Sequence, residues 1–125
     1  AIGLDHFKQV NDTRGRPFGD MVLQELAGIM KETARDTDAV ARVGGDEFVI
    51  VLPDTGWQGA LTFAERMRRK VDEFSFGEST GARQTISIGV ALARGTDPVS
   101  PEMLLHDADR SLYKAKSSGR NRIFA

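Results

Sequence analysis

The stretch Arg42-Val43-Gly44-Gly45-Asp46-Glu47-Phe48-Val49-Ile50-Val51-Leu52 constrains this chain more than any other. Ala39 to Val43 and Phe48 to Leu52 are rich in β-branched and aromatic side chains. The glycine pair between them supplies the positive φ angles that a tight hairpin turn needs, so the segment reads as a β-hairpin. A chain holding such a hairpin must build a sheet around it. Without Cβ atoms, Gly44 and Gly45 also let a flat or phosphorylated ligand approach the backbone, and Asp46 and Glu47 stand beside it as hard oxygen donors suited to Mg²⁺. Alone, the tetrad fits an ordinary polar turn better than a site.

The rest of the chain alternates helix and strand signals. Phe18 to Thr33 carries Val22, Leu23, Leu26, Ile29 and Met30 at helical spacing, with Gly15, Pro17 and Gly19 at its approach. After the break at Pro53-Asp54-Thr55-Gly56, one face of a second long helix is marked by Trp57, Ala60, Leu61, Ala64, Met67 and Val71. On this spacing Trp57 and Met67 belong to the core. Gln84 to Ala93 alternates as a half-buried strand, Pro101 to Ser117 returns to helical spacing with Gly119 as its C-terminal cap, and Asn121 to Ala125 forms a short last strand. Glu73 to Arg83, with Gly77 and Gly81, reads as a variable exposed loop. The expected fold is α+β, a palm-like or ferredoxin-like βαββαβ arrangement whose central, mostly antiparallel sheet has helices packed on it.

Composition narrows the function classes. At 125 residues the chain fits one domain spanning 1–125. A formal net charge of −1 gives no broad basic field, so no nucleic-acid polymer is expected as partner and any phosphate recognition is local. The absence of cysteine excludes disulfides and thiolate metal sites. No apolar run approaches the roughly 20 residues that span a bilayer, so no membrane contact is expected and the chain is placed in the cytoplasm. Ala1 begins inside strand material, which reads as a truncated first strand in a fragment of a longer signalling protein; a membrane anchor elsewhere in that protein stays open.

The hairpin does not stand alone. Leu4-Asp5-His6-Phe7-Lys8-Gln9-Val10-Asn11-Asp12, Gly19-Asp20, Arg35-Asp36-Thr37-Asp38, Gly44-Gly45-Asp46-Glu47-Phe48, Thr85-Ile86-Ser87-Ile88-Gly89-Val90, Ala108-Asp109, Leu112-Tyr113, Ala115-Lys116 and Gly119-Arg120-Asn121 follow one another over nearly the whole chain. In content and order they resemble the GGDEF domain of diguanylate cyclases. The resemblance implies condensation of two GTP into cyclic di-GMP with release of two pyrophosphates. Each 3′-hydroxyl attacks the α-phosphate of the other nucleotide, so a homodimer with one GTP per domain is required. Such chemistry rests on positioning and charge neutralisation, and Mg²⁺ or Mn²⁺ is the implied cofactor.

By the same resemblance, Asp46 and the Leu4 backbone carbonyl bind metal, Glu47 supports charge stabilisation, and Gly44 and Gly45 provide close approach. Lys116 and Arg120 grip the triphosphate, and Lys8 and the backbone at Phe7 belong to the same phosphate region. Asn11 and Asp20 correspond to the guanine-recognising pair; an amide and a carboxylate can read the base's acceptor and donor edges. The plainer alternatives are a polar turn residue at Asn11, a first-turn dipole partner at Asp20, and dipole complementation by Lys116 and Arg120. Neither His6 nor His106 is assigned a role.

Two features qualify the picture. Where the family usually carries a metal-binding aspartate, this chain has Gly3, which offers no side-chain oxygen. Either Gly3 is native and the domain degenerate, or residues 1–3 replace native residues of a shortened strand; both imply slow or no turnover by the chain as it stands. Arg16 stands where the family often has histidine. Arg35 and Asp38 match the family's inhibitory site, with five intervening residues before Gly44, and Arg66 matches its secondary arginine. A guanidinium fork and a carboxylate suit cyclic di-GMP. A non-catalytic cyclic di-GMP receptor is therefore the alternative function, while an unrelated ferredoxin-like nucleotide-binding domain leaves the ordered motifs unexplained.

Overall fold

The computed structural model describes residues 1–77 and 81–125. Its elements are β1 (Ile2–Leu4), α1 (Phe7–Arg14), α2 (Arg16–Thr33), β2 (Ala39–Arg42), β3 (Glu47–Val51), α3 (Trp57–Glu73), β4 (Ile86–Gly89), α4 (Pro101–Ser117) and β5 (Ile123–Phe124). The sheet order is β2-β3-β1-β4-β5, antiparallel except for the parallel β4–β5 pair. The first four strands give the expected βαββαβ core, to which β4, α4 and β5 add a parallel β-α-β unit.

Both faces of β1 and β4 are covered. Ile2, Leu4, Phe48, Ile86 and Ile88 point into a core shared with Val22, Leu26 and Met30 of α2 and with Ala64, Met67 and Val71 of α3. These helical residues recur at the three- and four-residue spacing that puts them on one stripe. The opposite face, carrying Gly3, Ser87 and Gly89, lies under α4. A Cβ on Gly89 would collide with the Ala108 carbonyl and the Leu112 amide of α4, so glycine here lets the helix sit directly on the strand.

Several expectations need correction. β4 covers four residues, all buried, where a ten-residue half-buried strand was expected, because α4 seals its second face. The chain between β1 and α2 forms a separate helix, α1, and α2 begins at Arg16, with Pro17 in its first turn where a missing N–H costs nothing. Met67 is fully buried as expected, but Trp57 and Leu61 are exposed. Gly119 does follow the α4 cap with φ 129°, and the Arg120 amide donates to the Ala115 carbonyl at 3.0 Å, the six-to-one bond of a glycine-terminated helix. The expected loop at 73–83 contains residues 78–80, which lie outside the described residues; Phe76 and Ala82 pair across it.

Candidate active site

Gly44 and Gly45 do not take positive φ, contrary to expectation. The loop is wider than a two-residue turn: the amides of Val43 and Gly44 both donate to the Glu47 carbonyl, and the Arg42 guanidinium donates to the carbonyls of Gly44 and Gly45 at 3.0 and 2.8 Å. A Cβ at Gly45 would meet nothing, and one at Gly44 only the Glu47 Cβ at 3.6 Å. The free chain therefore has room for larger residues at both positions. What glycine provides is open space outside the loop.

Two short links bring the sequence motifs to one end of the sheet. The Leu4 amide donates to the Asp46 carbonyl at 3.1 Å, joining β1 to the hairpin loop. The Asn121 amide donates to Asp5 Oδ2 at 3.0 Å, joining β1 to the turn after α4 that carries Arg120. Lys8 and Phe7 begin α1 immediately after β1. At the α1–α2 corner the Asn11 carboxamide occupies the space a Cβ on Gly19, the residue before Asp20, would need. Asp20 and Lys8 are exposed.

The register pairs Gly3 with Glu47 on one side and with Ser87 on the other, so all three share the face under α4. Lys116 reaches into this place: an ideal Cβ on Gly3 would lie 2.7 Å from both its Cε and its Nζ. Glu47 also approaches Asp109 of α4 closely enough to share a hydrogen bond. Burial, the Asp109 charge and that hydrogen bond together hold the Glu47 carboxyl above the ordinary carboxylate range, with Lys116 pulling the other way. Asp109 was not assigned a role from sequence. The available signal was its spacing from Leu112 and Lys116, which places it on the stripe of α4 that meets the sheet.

The ligand set for a divalent cation is incomplete. Gly3 offers no oxygen, the ammonium of Lys116 lies against it, Glu47 and Asp109 are turned on one another, and Asp46 meets β1 through its backbone carbonyl. Among the described residues no group of three or more histidines, cysteines, aspartates or glutamates could hold a metal ion. A hard cation that gathers oxygen ligands binds weakly beside two carboxylates and an ammonium.

The raised Glu47 value has a stability consequence. A carboxyl that binds its proton more tightly when folded stabilises the fold fully below its unfolded pKa, and that contribution is lost as pH rises through the folded value. Glu47→Gln is therefore expected to raise the melting temperature by a few degrees at neutral pH, with the gap closing as pH falls through the raised folded value and gone below about 4.3. Thermal melts across pH check this; a gap that is constant with pH contradicts it.

Arg35 and Asp38 form a closed turn between α2 and β2. Asp38 accepts from the Arg35 amide at 2.8 Å and from Arg35 Nη2 at 3.3 Å, while the same Nη2 donates to Thr55 Oγ1 at 2.9 Å. The Asp38 side chain has no exposed surface, so in the free chain it holds Arg35 and does not present itself to a ligand. Arg66 is exposed on α3, its guanidinium 5.9 Å from the Phe63 ring centroid. No contact joins it to Arg35 among the described residues.

One concavity borders the Arg35 turn through Pro53 and Thr55. It is an open, mainly apolar groove of about 860 Å³ between β3 and the chain beyond β4, lined by Ala1, Ile50, Trp57, Phe63 and Leu104 among others. None of the candidate site residues lines it.

The family profile described as "Diguanylate cyclase, GGDEF domain" matches residues 1–122. This chain belongs to the GGDEF family. It is 42% identical over 123 residues to Diguanylate cyclase A of Treponema denticola, covering 98% of this chain and 33% of that protein. It is 43% identical over 125 residues to the response regulator PleD of Caulobacter vibrioides, covering 98% and 27%. The GGDEF chain thus spans a third or less of the length of these curated relatives. Among solved structures, the active GGEEF domain of a diguanylate cyclase from Vibrio cholerae superposes with TM-score 0.88 at 35% identity, covering 98% of this chain and 78% of that one. The GGDEF domain of DgcB from Caulobacter crescentus, in complex with c-di-GMP, superposes with TM-score 0.90 at 32% identity, covering 99% and 74%. The palm-like α+β fold expected from sequence is that of these neighbours. Among the described residues no helix is long and apolar enough to cross a membrane.

Proposed function

We propose that this GGDEF domain binds GTP at the end of the sheet where β1, the hairpin loop and the turn after α4 meet, and binds cyclic di-GMP at Arg35 and Arg66, with Asp38 orienting Arg35. The single observation that carries the nucleotide reading is the pair of links from Leu4 to Asp46 and from Asp5 to Asn121, which draw three separate motifs to one place. There Gly44 and Gly45 leave the backbone open, Lys116 and Arg120 take phosphate oxygens, and Asn11 and Asp20 take the guanine edge. The family's reaction joins two such sites, one GTP in each of two facing copies, into cyclic di-GMP with loss of two pyrophosphates. The family's cofactor, Mg²⁺ or Mn²⁺, would neutralise phosphate charge, but the residues present do not complete its shell, and turnover by this chain is slow or absent. That favours the receptor as the second reading. Its support is the Lys116 ammonium resting against Gly3.

Titration calorimetry of the chain with GTP and ATP tests the site. GTP is expected to bind at least about tenfold more tightly, because a site built to hydrogen-bond one base leaves groups unpaired with the other. Asn11→Ala or Asp20→Ala should erase the difference. Equal affinities for GTP and ATP in the unaltered chain would overturn the assignment.

A further inference from the structure

The turn after α4 holds one residue under unusual constraint. Gly119, Arg120 and Asn121 have φ of 129°, 63° and 48°, so Arg120 occupies the left-handed region, which long side chains avoid, beside an asparagine that tolerates it. Three backbone groups at Arg120 are bound: its amide donates to the Ala115 carbonyl, its carbonyl accepts from Arg122 Nε at 3.0 Å, and the next amide, that of Asn121, donates to Asp5 Oδ2. Yet the Arg120 side chain is exposed and its guanidinium has no partner among the described residues. Backbone strain of this kind persists only where the surroundings over-determine it, and it concentrates at functional positions.

The residue that over-determines it is Asp5. It is 4% exposed and enters no ion pair among the described residues. Its charge is met by three hydrogen bonds: Ser87 Oγ to Oδ1 at 2.7 Å, Thr85 Oγ1 to Oδ2 at 2.7 Å, and the Asn121 amide. An isolated buried carboxylate is costly, and a hydroxyl pair could be covered by apolar packing instead. What a carboxylate adds is an acceptor strong enough to hold an amide in a left-handed turn. Asn121 is tied a second time, its Oδ1 accepting from Arg68 Nη1 of α3 at 3.0 Å, and Arg68 is itself held by both oxygens of Glu65.

We infer that Asp5 and Asn121 are positioning residues that hold the backbone of Arg120, and so set where its side chain leaves the turn, as an arm for the phosphate groups of the nucleotide. The inference rests on the nucleotide site proposed above and names the device that sets its phosphate end. Asp5 touches no ligand in this scheme; it acts through Arg120.

The test is a double-mutant cycle on nucleotide affinity, measured calorimetrically with GTP and with guanosine, which lacks phosphates. Asp5→Asn is expected to weaken GTP about tenfold and leave guanosine unchanged, and to have no further effect once Arg120→Ala is present. Asn121→Gly, which accepts the left-handed φ but frees the turn from Arg68, should weaken GTP several-fold with the same dependence on Arg120; it keeps the test available if Asp5→Asn does not fold, as thermal melting would reveal. Equal losses with and without Arg120, losses that extend to guanosine, or no loss for GTP would each overturn the positioning role. If the unaltered chain binds GTP no better than guanosine, the phosphate site itself falls and this inference with it.

Discussion

Gly3→Asp is expected to raise GTP turnover in Mg²⁺ buffer by at least about a hundredfold over the unaltered chain, measured as cyclic di-GMP formed per domain. The magnitude is that of restoring one preorganised charged group where charge develops in phosphoryl transfer. The register sets where the new carboxylate goes: opposite Glu47, on the face it shares with Ser87 and beneath Lys116. An ideal Cβ there lies 2.7 Å from the end of the Lys116 side chain, a flexible group that can move aside while pairing with the carboxylate it displaces toward. Position 3 and Glu47 then present two carboxylates side by side, with Asp109 behind them. In the Gly3→Asp background, Asp46→Ala and Glu47→Gln should each abolish the gain. Vigorous turnover by the unaltered chain would refute the view that Gly3 disables the site. A Gly3→Asp chain that binds GTP but remains inactive would move the defect elsewhere.

How much of this could be read beforehand depended on range. α4 and the two long helices follow from local periodicity, and Gly119 from its place after the last apolar position, because each signal lies within a few residues of the structure it dictates. The hairpin strands were legible for the same reason, but the loop between them was not: the Arg42 side chain folds over the carbonyls of Gly44 and Gly45 and makes a wider turn without positive φ. β4 was read too long because alternation says nothing about a helix that seals the second face. The meeting of Glu47 with Asp109, and of Asp5 with Asn121, joins segments more than sixty residues apart. No local pattern encodes such contacts. Asp38 shows the reverse case: its spacing matched a ligand-binding motif, while the short-range geometry turns its carboxylate onto Arg35. Spacing alone does not show that the Asp38 side chain is spent on Arg35 in the free chain.

That division of labour gives the second large effect. Arg35→Ala is expected to weaken cyclic di-GMP binding at least about tenfold, because charged hydrogen bonds are each worth about 1.5–3 kcal/mol and tenfold corresponds to about 1.4 kcal/mol. The Arg35 side chain is 60% exposed, and all its bonds within the chain run through Nη2, to Asp38, Pro53 and Thr55. Nε and Nη1 have no partner among the described residues, so a planar pair of donors faces outward, suited to phosphate or guanine oxygens. Three partners on one nitrogen keep that fork aimed before any ligand arrives, which lowers the entropy that binding must overcome. Asp38→Ala should also weaken binding, by releasing Arg35 from its turn, whereas Arg66→Ala should cost less because Arg66 lies on α3 and no hydrogen bond ties it to Arg35 among the described residues. The site stands apart from Gly3, so cyclic di-GMP should bind even a chain that makes none. Calorimetry on the unaltered chain and the three variants, with thermal melts to exclude unfolding, decides the matter. If the chain binds cyclic di-GMP no better than GMP, or if Arg35→Ala leaves a tight affinity unchanged, the Arg35 turn is a solvated helix terminus and the receptor reading loses its ligand.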